Sequence, residues 1–329
     1  MKRTLLAVVL VTGAFVAVFL GTRFGTVHLS TSEFIAALFG GGTEMHRNIL
    51  FELRLPRVFL GLLVGGGLAL AGSVFQALLR NPLAEPFILG ISGGAAAGAV
   101  LVIALGLVAA GSVVLPAAAF AGALLAILLV FGVAAAADRR LDVRVLLLAG
   151  VVVGSFFTAV IAFILSLSEA RAVRTAIVWM MGSLYGADWS NVAVVAGYTL
   201  PAALVLLGLA RALNLMAVGE ETAAYLGADV EKVKRVAYIV ASLMTAAGVA
   251  VAGVIGFVGL IVPHGIRLLV GSDQRILLPL SFLAGAAFLC LADLLARVVL
   301  APIEIPIGVI TAFLGVPLFL VLLRRSMTG

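Results

Sequence analysis

Few residues in this chain are of a type that does chemistry, and their spacing excludes most of it. The three histidines, His28, His46 and His264, are scattered, and the single cysteine, Cys290, lies within an apolar run where it reads as core packing. No H-E-x-x-H or Cys/His cluster occurs, so metal-assisted hydrolysis lacks its parts. No G-x-x-x-x-G-K-[ST] occurs either, so the chain has no phosphate-binding loop through which to hold ATP. One acid–base pair stands in an apolar segment. Asp293 precedes Arg297 by one helical turn, the favourable order for an i,i+4 pair. Because an ionisable residue inside a membrane segment can carry an ion, Asp293 has two readings, an ion site or a structural pair. The other polar concentration is MAVGEETAAYLGADVEKVKR, residues 216–235, which looks like a piece of a soluble protein.

The elements that must position these residues are apolar. The 329 residues are 64% hydrophobic and 11% charged, against about a quarter charged in soluble domains. The fold class expected is therefore an all-α polytopic membrane protein. Its 37 glycines suit helices that approach closely in lipid. Runs long enough to cross a bilayer lie near 4–22, 56–79, 87–108, 113–137, 145–167, 192–212, 236–255, 256–271, 277–298 and 305–323. That is about ten transmembrane helices. The first, MKRTLLAVVLVTGAFVAVFLG, reads as a retained span, since no A-x-A cleavage site follows. Only Gly253 and Gly256 mark the turn between the seventh and eighth.

Lysine and arginine set the orientation. With ten spans and both termini cytoplasmic, 14 basic residues fall inside: Lys2, Arg3, Arg80, Arg139, Arg140, Arg144, Arg211, Lys232, Lys234, Arg235, Arg267, Arg275, Arg324 and Arg325. The outer side receives 7: Arg23, Arg47, Arg54, Arg57, Arg171, Arg174 and Arg297. The net charge of +6 is then a topology signal and predicts no nucleic-acid partner. On the outer side STSEFIAALFG predicts a capped amphipathic helix. The outer segment of about 168–190 combines Arg171, Arg174, Trp179, Tyr185 and Trp189, either as an aromatic belt or as the lining of an outer mouth. GLALAG at 67–72 is echoed by GVAVAG at 248–253, with Pro82 opposite Pro263, Leu79 opposite Leu260 and Arg54 opposite Arg235. Separated by an odd number of spans, the two copies would form an inverted internal repeat, an arrangement of transport folds.

The 216–235 stretch predicts local structure of its own. Glu220 and Glu221 belong in the first turn of a helix, where carboxylates meet the positive helix end. Gly227 stops that helix, and Asp229 is placed to cap a second short helix bearing Lys232, Lys234 and Arg235. Such a cytoplasmic helix–Gly–helix can insert into a partner and transmit a rigid-body push.

These residues also carry a resemblance. RLPR followed by GGGLALAGSVFQALLRNPLAEPFILGISGGAA, then LLLAGVVVG, WMMGSLYGADW, GFVGLIVPHGIRLLVGSD, LADLLAR and EIPIGVITAFLGVPLF, resemble in order the FecCD-type permeases. These are membrane subunits of binding-protein-dependent ABC importers for iron–siderophores, haem and vitamin B12. The resemblance implies one transmembrane permease domain over 1–329 in the bacterial inner (plasma) membrane, in contact with membrane lipid. It implies a second copy of the chain, two copies of a cytoplasmic ABC ATPase that bind the ATP and magnesium, and a periplasmic substrate-binding protein. This chain would hold no cofactor and would not be an enzyme by itself. The loop of about 213–235 would be the ATPase coupling site, through Gly219, Glu220, Ala224, Leu226 and Gly227. Arg54, Arg57 and Arg297 match the positions where the family docks its binding protein, and alone Arg54 and Arg57 also suit interfacial anchoring. The pathway would run by the fifth span and the outer segment, with Phe163, Leu167, Met180 and Tyr185 as its candidate lining. GISGGA at 90–95 replaces the GVSNGA of vitamin B12 members and does not choose between substrates. The alternative class is a stand-alone ion-coupled secondary transporter.

Overall fold

The computed structural model describes residues 2–109, 113–137 and 143–328. Of the basic residues counted above, Arg139 and Arg140 lie outside these, as do the side chains of Lys2, Arg3, Arg324 and Arg325. The described residues are helical with no strand. In chain order the α-helices are α1 (Lys2–Arg23), α2 (Thr31–Leu38), α3 (Glu44–Asn48), α4 (Leu55–Leu78), α5 (Ile91–Ala104), α6 (Val114–Ala137), α7 (Val143–Ser166) and α8 (Ala170–Met180). The second half holds α9 (Trp189–Gly208), α10 (Ala210–Val218), α11 (Glu220–Tyr225), α12 (Val230–Ala252), α13 (Val258–Val270), α14 (Gln274–Val298) and α15 (Ile307–Thr328).

An apolar helix stands at each of the ten expected places, but they are not alike. Seven are long and apolar enough to cross a membrane, and α5, α13 and the described side chains of α15, Ile307–Val321, form shorter apolar helices. A helix of 13 or 14 residues rises only about 20 Å, short of a hydrocarbon core of about 30 Å. The expected spans 87–108 and 256–271 are corrected accordingly. The lost length belongs to non-α segments, 79–90 before α5, which includes a 3-10 turn at Pro86–Leu89, and 253–257 before α13. Each ends on a residue in the left-handed region, Gly90 at φ 75° and Phe257 at φ 70°, and a helix restarts after it.

Irregular backbone is tolerated in an apolar bundle only where the protein itself satisfies its polar groups. Gln76, near the end of α4, donates from Nε2 to Leu260 O at 3.1 Å and Ala84 O at 3.3 Å. Glu85 accepts from Phe257 N at 2.7 Å, which holds a non-glycine residue in a conformation that costs about 1–3 kcal/mol. After α8 the chain turns back, and Ser183 N donates to Ala252 O while Ile307 N and Gly308 N donate to Gly182 O and Met181 O. The ends of α8 and α12 and the start of α15 thus share one backbone junction.

Nearly every residue of α4 is buried, with α14, α12, α13 and α9 packed around it. Small residues make this possible. A Cβ on Gly65 would overlap the Gly285 carbonyl of α14, and one on Gly72 would overlap Gly259 of α13. The halves share a length pattern: α4 to α7 have 24, 14, 24 and 24 residues, and α12 to α15 have 23, 13, 25 and 22. The sequence echo does not follow it residue by residue. Gly72 lies inside α4 whereas Gly253 ends α12, and Pro82 sits in a linker whereas Pro263 is inside α13. A helix of the same length is entered and left at different motif positions in the two halves.

The amphipathic helix expected from STSEFIAALFG is α2. Its Ser30 side chain accepts from Glu33 N, and Glu33 reaches back to Ser30 N at 2.7 Å, a complete capping box. Hydrogen bonding to its carboxyl from the Ser30 side chain and the Ser30 backbone N–H holds Glu33 below its ordinary range.

Candidate functional site

The two ends of α4 carry the polar chemistry. At its C-terminal end lies the 213–235 loop, built differently from expectation. The break between two short helices falls at Gly219, at φ 155°, with α10 before it and α11 after. Gly227, at φ 87°, does end α11. Asp229 does cap a helix, accepting from Lys232 N at 3.1 Å, but that helix is α12, which continues for 23 residues. The second short helix expected after Asp229 is therefore the first turn of a long one, because the apolar repeat resumes at once after Arg235.

Within this loop the candidate residues divide by direction. Ala224, Leu226 and Gly227 are exposed, Leu226 by 64%, beside Tyr225 at 92%. Glu220 faces inward, to Lys234 of α12 at 2.5 Å and to Arg80, just beyond α4, at 3.7 Å. Tyr225 and Leu226 thus stand exposed side by side at the C-terminal end of α11. Beside them Gly219 and Gly227 supply backbone angles that other residues rarely adopt.

At the other end of α4 the three candidate arginines are brought together, and all three are buried. Arg57 donates to both Asp293 and Glu304, at 2.8 Å and 2.9 Å for the shortest contacts. Arg297 completes the pair read from the sequence, its Nε 3.0 Å from Asp293 Oδ2. Arg54 donates to the carbonyls of Thr22, Arg23 and Val27. The expected free guanidinium groups are thus saturated from within the chain, as buried charges must be. What they leave is a recess of about 270 Å³ lined by Arg54, Arg57, Arg297 and Glu304, with exposed Tyr185 beside it. Of the two readings of Asp293, the structural pair is the one the geometry shows. Trp189 pins the start of α9 here by donating to Phe51 O at 2.9 Å.

The four candidate pathway residues do not share one space. Phe163 and Leu167 line a groove of about 830 Å³ with Leu101, Glu169, Arg171 and Thr175. Met180 lines an apolar cavity of about 620 Å³ with Met181, Val254, Phe257, Val309 and Phe313. Tyr185 belongs to the arginine recess. Gln76 and Glu85, which close the irregular segments, escaped the sequence reading. Their signal was available, as polar side chains within and just after an apolar run. His264 is buried in α13 with no hydrogen-bond partner for either ring nitrogen among the described residues.

A sequence profile of the FecCD transport family matches residues 10–325. The chain belongs to that family. Among curated relatives it is 45% identical over 294 residues to the cobalamin import system permease protein BtuC of Halobacterium salinarum, covering 89% of this chain and 78% of the relative. It is 38% identical to the iron(3+)-hydroxamate import system permease protein FhuG of Bacillus subtilis, with 94% of each chain covered. It is 40% identical to the hemin transport system permease protein HmuU of Yersinia pestis, over 85% of this chain and 84% of that one. A solved structure described as an inward-facing conformation of a metal-chelate type ABC transporter aligns with a TM-score of 0.85 at 31% identity, covering 98% of both chains.

Proposed function

We propose that this chain is the membrane-spanning permease subunit of an ABC importer for an iron chelate (siderophore or haem) or cobalamin. The observation that carries the reading is the coupling loop. A family member without a phosphate-binding loop presents a short helix, α11, whose exposed residues include Tyr225 and Leu226. Such a surface receives work from a protein that can bind ATP. A separate cytoplasmic ATPase, two copies per pair of permeases, seats on α11. A periplasmic binding protein delivers substrate at the arginine end.

In this reading all ten apolar helices cross or enter the inner membrane with both termini cytoplasmic. The paired length patterns of α4–α7 and α12–α15 support an inverted repeat. ATP binding closes the ATPase dimer, α11 moves with it, and the bundle opens toward the binding protein. The pathway runs past the apolar cavity between Met180, Phe257 and Phe313, whose walls offer a bulky chelate no strong contact. At the outer end Arg54, Arg57 and Arg297 shape the recess that receives the binding protein.

The reading is tested by capture of the partner ATPase on the purified permease. Wild type retains it, and Tyr225→Ser with Leu226→Ser loses it while keeping its unfolding temperature. Retention by the double variant would remove α11 as the seat. Uptake assays with cobalamin, a ferric hydroxamate and haem then name the cargo.

A further inference from the structure

The two non-α segments end in the same backbone region on unlike residues. The first ends on Gly90, which takes φ 75° freely. The second ends on Phe257 at φ 70°. A glycine would serve the turn at 257 as it does at 90, so the phenylalanine is there for its side chain, and strain of this kind gathers at functional positions. Phe257 lines the apolar cavity of about 620 Å³ together with Met180, Val309 and Phe313. α15 makes room for it, because a Cβ on Gly315 would stand 2.8 Å from Phe257 Cβ. The Phe257 carbonyl opens α13 by accepting from Leu260 N and Ile261 N. Its N–H goes to Glu85 Oε1, at 2.7 Å, in the other half of the chain. Unlike Asp293 and Glu304, which meet Arg57, Glu85 has no basic partner among the described residues.

We propose that Glu85 is a positioning residue of the transport pathway. By accepting from Phe257 N it holds the Phe257 side chain between α13 and α15, and so fixes the wall of the cavity. This rests on the reading that cargo passes this cavity. Without the acceptor, a buried N–H is left unpaired and nothing supports the left-handed angle. The residue then relaxes toward ordinary angles and carries its ring away from Gly315. Uptake falls with the fraction of permeases that keep the ring in place. What the site needs from Glu85 is an oxygen acceptor, not a negative charge.

The test uses the full complex of permease, ATPase and binding protein in proteoliposomes, with whichever of the three cargoes the uptake assays identify. Glu85→Ala should lower kcat for uptake about tenfold at unchanged KM, the population shift that release of such an angle allows. Glu85→Gln keeps an acceptor oxygen and should stay within about twofold of wild type. Phe257→Gly removes ring and strain together. It should fall as far as Glu85→Ala, and adding Glu85→Ala to it should cost nothing more, because the two act as one unit. If Glu85→Ala alone does not fold, the double variant should, since glycine holds the angle unaided. Further loss in the double variant, an inactive Glu85→Gln or wild-type uptake in Glu85→Ala each overturns the positioning role. So does misfolding in Glu85→Ala that Phe257→Gly does not repair. Failure of the pathway reading looks different: Ala312→Phe, which fills the cavity, would then leave uptake at the wild-type rate.

Discussion

The two ends of α4 use the same chemistry, a basic side chain against a carboxylate, to opposite purposes. At the arginine end Arg57, Arg297, Asp293 and Glu304 draw together α4, α14 and the segment before α15, and every guanidinium is buried. At the loop end Glu220 is half-exposed and ties a helix with one buried residue to its neighbours. The first arrangement builds a wall, because a charge out of water cannot let go of its partner cheaply. The second ties a helix with one buried residue to the bundle through a carboxylate that keeps access to water, although the Lys234 it meets is buried. The ends differ less in the burial of their basic side chains than in the exposure of the helix each one holds.

The contrast is broken or sharpened by stability measurements, starting with the largest expected effect. Asp293→Ala leaves two buried guanidinium groups short of a carboxylate and should cost about 3–5 kcal/mol, read as an unfolding midpoint in detergent. A cost below 1 kcal/mol would mean that Arg57 and Arg297 reach water, and the wall would be a solvated cluster. Gly227→Val places a branched residue at φ 87° and should cost about 1–2 kcal/mol locally, with uptake lost and the bundle still folded. Ser30→Ala removes the α2 cap and should fray that helix by about 1 kcal/mol, seen as faster amide exchange confined to residues 31–38. The same helix gives a pH test. The folded Glu33 carboxyl is held below its unfolded value, so its contribution is present above that value and is lost as pH falls through the depressed one. Protection of α2 should weaken on acidification before that of α4. The smallest effect on stability, within about 0.5 kcal/mol, is expected for Tyr225→Ser with Leu226→Ser, since neither side chain is packed.

Much of the fold could be read from the chain because apolar run length is a direct physical requirement of a bilayer. All ten runs became helices, and the Gly253 break after α12 stands where the two glycines placed it. The short helices were harder. Nothing in the composition of 87–108 shows that its first residues form a separate turn closed by Gly90, since the cause lies in Gln76, Glu85 and the facing backbone of α13. The polar 213–235 loop stands out in the sequence, but the break between its short helices falls at Gly219, where helix-favouring residues on both sides hid a change in backbone direction. The arginines were the least legible. Arg57 meets Asp293 and Glu304 across 236 and 247 residues of sequence, and a count of charges near span ends cannot distinguish a group that is paired inside from one that waits for a partner. Only the Asp293–Arg297 spacing hinted at the network.

The central claim is that this permease is driven from outside itself, through α11. It is tested most directly by uptake into proteoliposomes loaded with ATP, with and without the partner ATPase, under matched proton and sodium gradients. The account predicts uptake only when ATPase and ATP are both present, with no response to either gradient. Uptake by the permease alone that follows a proton or sodium gradient would contradict it.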